Sequence, residues 1–478
     1  MSTRLVPPPT NSSLDEQQRE TAALRASRWL AVGVGGYLLS QSFLIPLAPL
    51  GPSWSIWPTL ADLAIGGLVL AAALTPPGKV IVSRANREIW GLLCWLYVAC
   101  VLSFFIVNLT MGSAGRGLAV DEGVYYLYRM TQFMIVYWAT MRVAFSPGRE
   151  RALFYVTAFV YIVTCAACLL TFLDVLPGTR IVAHLPAGRV AGPWGFFHAN
   201  QAQGLGFVGH NHAYVSAQVL MLLALTLNLS GRSRPLFNGS MILLGVVAAF
   251  ATGSRAGLAA TLLFAVCMVL RTPVYAIVAG VVVGLVALFL PQDFMANEQI
   301  ADLASEQGKI VDPMQATQFR ARRELWRRWA EFLARSPQLL ITGVGFGGTR
   351  GDAAPGVSPH SQPYMVLVEF GILGLIGFAW LVLIILDRLR KTEPPPKPVL
   401  WATISLLLAS ATQETFYPVP ALGHFVGFYF CTLAIALRQP NRTLVPPSLT
   451  GGRAGGFPLP VGPGRPQPEP TPLTPRHR

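Results

Sequence analysis

The chain has 478 residues, 53% of them hydrophobic and only 12% charged, with a formal net charge of +14. Soluble domains carry about 25% charged residues, so this composition, with a mean hydropathy of +0.50, excludes an ordinary soluble fold. It points to an all-α, polytopic membrane helical bundle. The arginines fall mainly between apolar runs and in the tails, where membrane topology accounts for them, so nucleic acid is not an expected partner.

In chain order, residues 1–28 are polar, carry four arginines and read as a cytoplasmic leader. Nine apolar runs follow within 29–290, at about 29–48, 54–75, 89–110, 123–144, 152–173, 213–230, 237–252, 256–271 and 273–290. A long connection, 291–360, separates them from three more runs within 361–437, at about 361–386, 398–416 and 422–437. Residues 438–478 form a Pro- and Gly-rich basic tail with no apolar periodicity, expected to be disordered. About twelve transmembrane helices result.

The basic residues sort these runs. Lys79, Arg84 and Arg87, then Arg142, Arg149 and Arg151, then Arg232, Arg271, Arg388 and Lys397 all fall on the side of the N-terminus. By the positive-inside rule that side is cytoplasmic, and so are both termini. The connections at 174–212 and 291–360, and the turn Gly253-Ser254-Arg255, then share the extracytoplasmic face. All six cysteines lie inside apolar runs, and Cys165-Ala-Ala-Cys168 reads as packing, since no second pair or histidine cluster joins it.

The polar residues of the outer connections are the functional candidates. Two aromatic turns compete in the first: Phe196-Phe197-His198-Ala199-Asn200, and Phe207-Val208-Gly209-His210-Asn211-His212, which leads directly into an apolar run. Histidines at i and i+2 without nearby carboxylates are a weak metal signal, and no metal or cofactor is expected. Arg255 opens an apolar run beside free backbone N–H groups, a setting suited to an anion. In the second long connection Leu325, Trp326, Trp329, Phe332 and Leu333 form one stripe of an amphipathic helix, expected to lie on the bundle or on lipid.

After it comes Gly343-Val344-Gly345-Phe346-Gly347, then Pro359-His360-Ser361-Gln362, then an apolar run containing Glu369-Phe370-Gly371-Ile372-Leu373-Gly374. Pro363 suits a first helical turn and Ser361 or Ser358 a cap, which places His360 at the mouth of a helix. On a continuous helix Tyr364, Leu367, Gly371 and Gly374 share the face of His360, and Glu369 points the other way. The two glycines would admit another helix close beneath the histidine.

This combination resembles the C-terminal signature of the bacterial O-antigen ligase and O-antigen polymerase superfamily, and more weakly so from about Arg189 to Leu386. The resemblance implies a GT-C-like glycosyltransferase of the bacterial inner membrane, with its active face extracytoplasmic. Its donor would be a glycan on a polyprenyl diphosphate such as undecaprenyl diphosphate. The acceptor hydroxyl would belong to a glycan, a lipid A core or a protein, which leaves ligase and exopolysaccharide polymerase both open. His360 would be the catalytic residue, taking the acceptor proton as a neutral imidazole. Arg255, Arg189 and Arg322 would bind the diphosphate, and Asn211, His212 and Tyr364 the rest of the substrate. The reaction would invert the anomeric carbon without a metal. A polytopic transporter or flippase of lipid-linked glycans is the rival reading. It requires polar residues near mid-membrane, and Arg129 is the main one here.

Overall fold

The computed structural model describes residues 18, 21–47, 58–76, 82–110, 116–181, 204–209, 211–230, 234–275, 277, 280–281, 317–350, 358–393, 395–417 and 424–438. Among these the secondary structure is helical. We number the principal helices α1 (Arg28–Ser40), α2 (Leu60–Ala73), α3 (Arg84–Thr110), α4 (Arg116–Met141), α5 (Pro147–Phe172), α6 (His212–Ser230) and α7 (Pro235–Ala251). The rest are α8 (Arg255–Arg271), α9 (Thr317–Arg335), α10 (Pro337–Thr342), α11 (Gln362–Lys391), α12 (Lys397–Ala409) and α13 (His424–Ala436).

Local chemistry sets the helix starts. Thr59 and Asp62 close a capping box on α2. Ser146 caps α5 ahead of Pro147, and Ser254 caps α8 by accepting the Gly257 N–H. Among the described residues four helical segments are long and apolar enough to cross a membrane: Arg84–Phe105, Pro147–Phe172, His212–Ser230 and Gln362–Lys391. Leu60–Ala73, Pro235–Ala251, Lys397–Thr412 and His424–Ala436 are shorter apolar helices. The chain is therefore an all-α membrane helical protein. Eleven of the apolar runs read from the sequence coincide with described helices, and the run at 273–290 lies largely outside the described residues, as do 1–17, 282–316 and 441–478.

A helix apolar on all sides belongs inside. α6 is one, buried continuously from Ala213 to Leu227, and it packs against α5, α7, α8, α12 and α13. α13 is buried along its whole length and packs most extensively on α4. α3 and α11 turn apolar faces outward instead, with Trp95, Leu102, Leu373, Trp380 and Leu383 exposed, as lipid contact requires.

Two sequence expectations are corrected by the backbone. α11 is not continuous: Gly371 sits at φ 67°, ψ −167°, and breaks the helix there. The small residue at 371 also admits no second membrane helix. A Cβ there would lie 2.0 Å from the Ile341 carbonyl oxygen, so the close neighbour is the end of α10. The cysteines are free thiols, Cys165 and Cys168 buried among them.

Candidate active site

The break in α11 explains the two glycine motifs together. Breaking the helix at Gly371 leaves the carbonyls of Val368 and Glu369 open to other donors, and the glycine-rich turn supplies them. Val344 N–H donates to the Val368 oxygen at 2.8 Å and Gly345 N–H to the Glu369 oxygen at 2.9 Å. Gly343, Gly345 and Gly347 all have positive φ, and a Cβ on Gly343 would meet the Glu369 oxygen at 2.2 Å. The buried Glu369 carboxylate completes the clasp, accepting from Gly347 N–H at 3.2 Å, Thr349 Oγ1 at 3.3 Å and the Tyr417 hydroxyl. Glu369 is thus bonded within the clasp, away from the face of His360.

His360 stands on this platform, just before α11. Ser361 holds the N-cap position without a side-chain hydrogen bond, and Pro363 lies in the first turn. His360 has φ +51°, a left-handed conformation uncommon for a side-chain-bearing residue. Beside a 3.3 Å bond from its N–H to Ser358 Oγ, two contacts hold it. Trp326 Nε1 donates to the Pro359 carbonyl at 2.7 Å, and the His360 N–H donates to Glu414 Oε1 at 2.7 Å. The other oxygen, Oε2, lies 3.5 Å from His360 Nδ1. Glu414 is buried, whereas the imidazole is 48% exposed. One carboxylate therefore fixes both backbone and ring, leaving Nε2 free of this anchor, an arrangement used where a carboxylate orients a histidine base.

Glu414 is not among the candidates that the sequence singles out. Its own position is set from three sides. Tyr214 donates its hydroxyl to the Glu414 carbonyl at 2.7 Å, Gln362 N–H bonds the Gln413 oxygen at 3.0 Å, and Phe416 N–H bonds Gln362 Oε1 at 3.1 Å. The loop is thereby tied to α6 and α11.

Positive charge gathers at the same end. α8 presses its first turn onto α6 at Gly257, where a Cβ would stand 1.8 Å from Ser216 Oγ. That contact brings Arg255, two residues earlier on α8, near His212, one turn earlier on α6. Arg322 reaches in from α9. His212 feels both guanidinium groups, and Arg322 feels Arg255 and Glu414. Burial is the main reason the Arg322 guanidinium falls below the ordinary arginine value; Glu414 opposes the fall and Arg255 adds to it. Arg322 thus stands between the Glu414 carboxylate and the like-charged Arg255 guanidinium. Partly buried like charges at close range are unfavourable, and an anion between them relieves the repulsion.

The remaining sequence candidates divide. Arg189 lies outside the described residues, as do His210 and the turn at Phe196–Asn200. Asn211 caps α6, its Oδ1 accepting the Ala213 N–H at 2.9 Å. Tyr364 braces α9, donating its hydroxyl to the Trp326 oxygen at 3.0 Å and stacking on that indole at 6.5 Å. The stripe of α9 packs on protein: Trp329 and Leu333 are buried with Val344 of the glycine turn and Val368 of α11.

A second polar cluster sits deeper, where the starts of α2 and α13 meet the middle of α4. The buried Arg129 donates to Asp62 Oδ1, to Gln132 Oε1 at 2.7 Å and to the Tyr125 hydroxyl at 2.8 Å. His424 Nε2 lies 3.0 Å from both Arg129 Nη1 and Thr59 Oγ1, and 3.3 Å from Asp62 Oδ2. Its cation is matched within the bundle.

Residues 240–379 match the protein family described as O-antigen ligase. The match supports the O-antigen ligase superfamily for this chain. It takes in Arg255, Arg322, the glycine turn, His360 and Tyr364, but starts after His212 and ends before Glu414. No curated protein matches the chain. Among the described residues no group of three or more His, Cys, Asp or Glu is arranged to hold a metal ion.

Proposed function

We propose that this O-antigen ligase-like chain is a glycosyltransferase of the bacterial inner membrane. It would move a glycan from a polyprenyl diphosphate to an acceptor hydroxyl at the extracytoplasmic face. The observation that carries this reading is the meeting of Arg255 and Arg322 beside His212, next to an imidazole held by Glu414. His360 takes the acceptor proton as the acceptor oxygen bonds to the anomeric carbon. The bond from that carbon to the phosphate oxygen breaks, and the diphosphate leaves with the electron pair, inverting the centre. Arg255 and Arg322, with Arg189, meet the charge on the leaving diphosphate. A divalent cation is not needed in this scheme, because guanidinium groups supply the charge.

An apolar crevice supports a lipid-linked donor. It is a cavity of about 100 Å³ among α3, α4, α11, α12 and α13, lined by residues such as Leu96, Met130, Phe370 and Phe430. Gln362, two residues from His360, forms part of its wall. Around it we propose twelve spans in a GT-C-related bundle with both termini cytoplasmic.

The test is complementation in cells, reading surface glycan and the lipid-linked donor pool together. His360→Ala and Arg255→Ala are expected to abolish surface product while donor accumulates. Normal surface glycan in both variants contradicts the proposal and favours a transporter.

A further inference from the structure

The helices that carry the candidate site have a second polar feature at their far ends. α6 begins at His212, α8 at Arg255 and α11 just after His360, so their last turns lie at the opposite end of the bundle. There a cavity of about 380 Å³ opens beside Asn228 of α6, Arg271 of α8, Lys397 at the start of α12 and Arg438 after α13. Its wall mixes these cations with Thr272, with Tyr275, whose hydroxyl accepts from Asn238 at 3.0 Å, with Thr392, whose hydroxyl donates to the Arg388 oxygen at 2.8 Å, and with the apolar side chains of Leu227, Met268 and Ala436.

The charges are not alike. Arg438 is engaged, donating to the Ile435 oxygen at 2.8 Å and to Glu150 at 3.0 Å. Arg271 is held over the Trp401 ring, 5.1 Å from its centroid. Among the described residues no carboxylate lies within ion-pair distance of Arg271 or Lys397, and neither side chain bonds a helix-end carbonyl. Arg271, in the last turn of α8, complements that helix's dipole, and Lys397 at the start of α12 has no such role. Beside Arg271, Leu270 is 77% exposed, and Val274 and Ile277 are exposed too. An apolar surface thus continues from the basic cavity onto the face that meets lipid.

We propose that this cavity binds the phosphate headgroup of an anionic phospholipid. Arg271 and Lys397 would flank the phosphate, Thr272 and Tyr275 would offer hydroxyls, and the acyl chains would run along Leu270, Val274 and Ile277. The mixed lining favours a lipid over a soluble anion, because the latter has nothing to gain from the apolar wall. On the proposed topology this is the cytoplasmic face, where anionic lipids attract clustered basic residues. The site is separate from the transfer chemistry and would anchor the inner ends of the helices that position His212, Arg255 and His360.

The test is lipid retention by the purified full chain in mixed phosphatidylcholine–phosphatidylglycerol nanodiscs, followed by native mass spectrometry. Wild type is expected to retain phosphatidylglycerol selectively. Arg271→Gln with Lys397→Gln is expected to weaken that retention about fivefold for each cation removed. Arg84→Gln with Arg87→Gln, which changes cations outside the cavity, is expected to leave it intact. Equal loss in both double variants would mean general surface attraction and would overturn the proposal. So would displacement of the lipid by millimolar inorganic phosphate, which would mark a soluble-anion site. Should the glutamine pair fail to fold, wild-type retention alone decides: equal retention of the two lipids overturns the proposal. Arg271→Lys with Lys397→Arg, which keeps both charges, should retain the lipid.

Discussion

Two polar clusters in this bundle use the same side-chain types with different bookkeeping. Around Arg129 the guanidinium, the Asp62 carboxylate and the His424 ring are buried together, and the arginine cation has its anion at hydrogen-bond distance. Around His360 the Glu414 carboxylate faces the half-exposed imidazole and Arg322, and Arg322 and Arg255 both act on His212. The first cluster staples α2, α4 and α13. The second sets two guanidinium groups close enough to feel each other beside a half-exposed imidazole, the setting proposed above for an anionic substrate. An arginine inside a membrane protein is therefore not informative by itself; its balance of partners is.

Substitutions in each cluster should separate these roles. The largest effect is expected from Arg255→Ala, which should lower glycan transfer by about 10²–10³-fold, the range for removing one preorganised charge-stabilising group. Arg255→Lys should recover only part of the loss, because an ammonium does not reproduce the paired donors of a guanidinium. Assay of purified protein with lipid-linked donor checks both. In the matched cluster, Asp62→Leu should leave Arg129 buried without its carboxylate and destabilise the fold by about 3–5 kcal/mol. Thermal unfolding and detergent survival measure it, and transfer per folded molecule should be nearly unchanged. A loss of turnover without a loss of stability would show that the Arg129 cluster works in the chemistry.

Gly371→Ala sharpens the account of the clasp. It combines a positive φ with a backbone atom 2.0 Å from the new methyl group. A loss of at least about 2 kcal/mol is expected, and unfolding curves will show it. Glu414→Gln should have a smaller effect, lowering kcat about tenfold with little change in the donor KM, since the carboxylate acts through His360. Glu414→Asp should restore part of it. A rise in KM alone would reassign Glu414 to substrate binding. At the bottom of the scale, Arg327→Ala removes exposed pairs with Glu324 and Glu331 on α9. It should leave both melting temperature and transfer unchanged.

The sequence made the membrane class and most helices readable, because apolar runs of span length and the spacing of basic residues carry that information locally. The motif around His360 and the stripe of α9 were readable for the same reason. The break at Gly371 was not. A helix-period pattern continues across it, and only the approach of the α10 end forces the glycine out of helical geometry. Glu414 was hidden for a related reason. It lies 54 residues from His360, and nothing in a lone glutamate announces the partner that folding brings to it. The resemblance assigned Asn211 and Tyr364 to the substrate; the hydrogen bonds they make here, to the start of α6 and to Trp326, depend on chain neighbours that a motif does not display.

The central claim is a division of labour: arginines hold the donor diphosphate and His360 acts on the acceptor. The most direct test compares His360→Ala with wild type in nanodiscs, measuring donor binding and glycan transfer on the same preparation. The account predicts donor binding close to wild type with transfer reduced by at least about 10²-fold. Transfer at the wild-type rate in His360→Ala would contradict it.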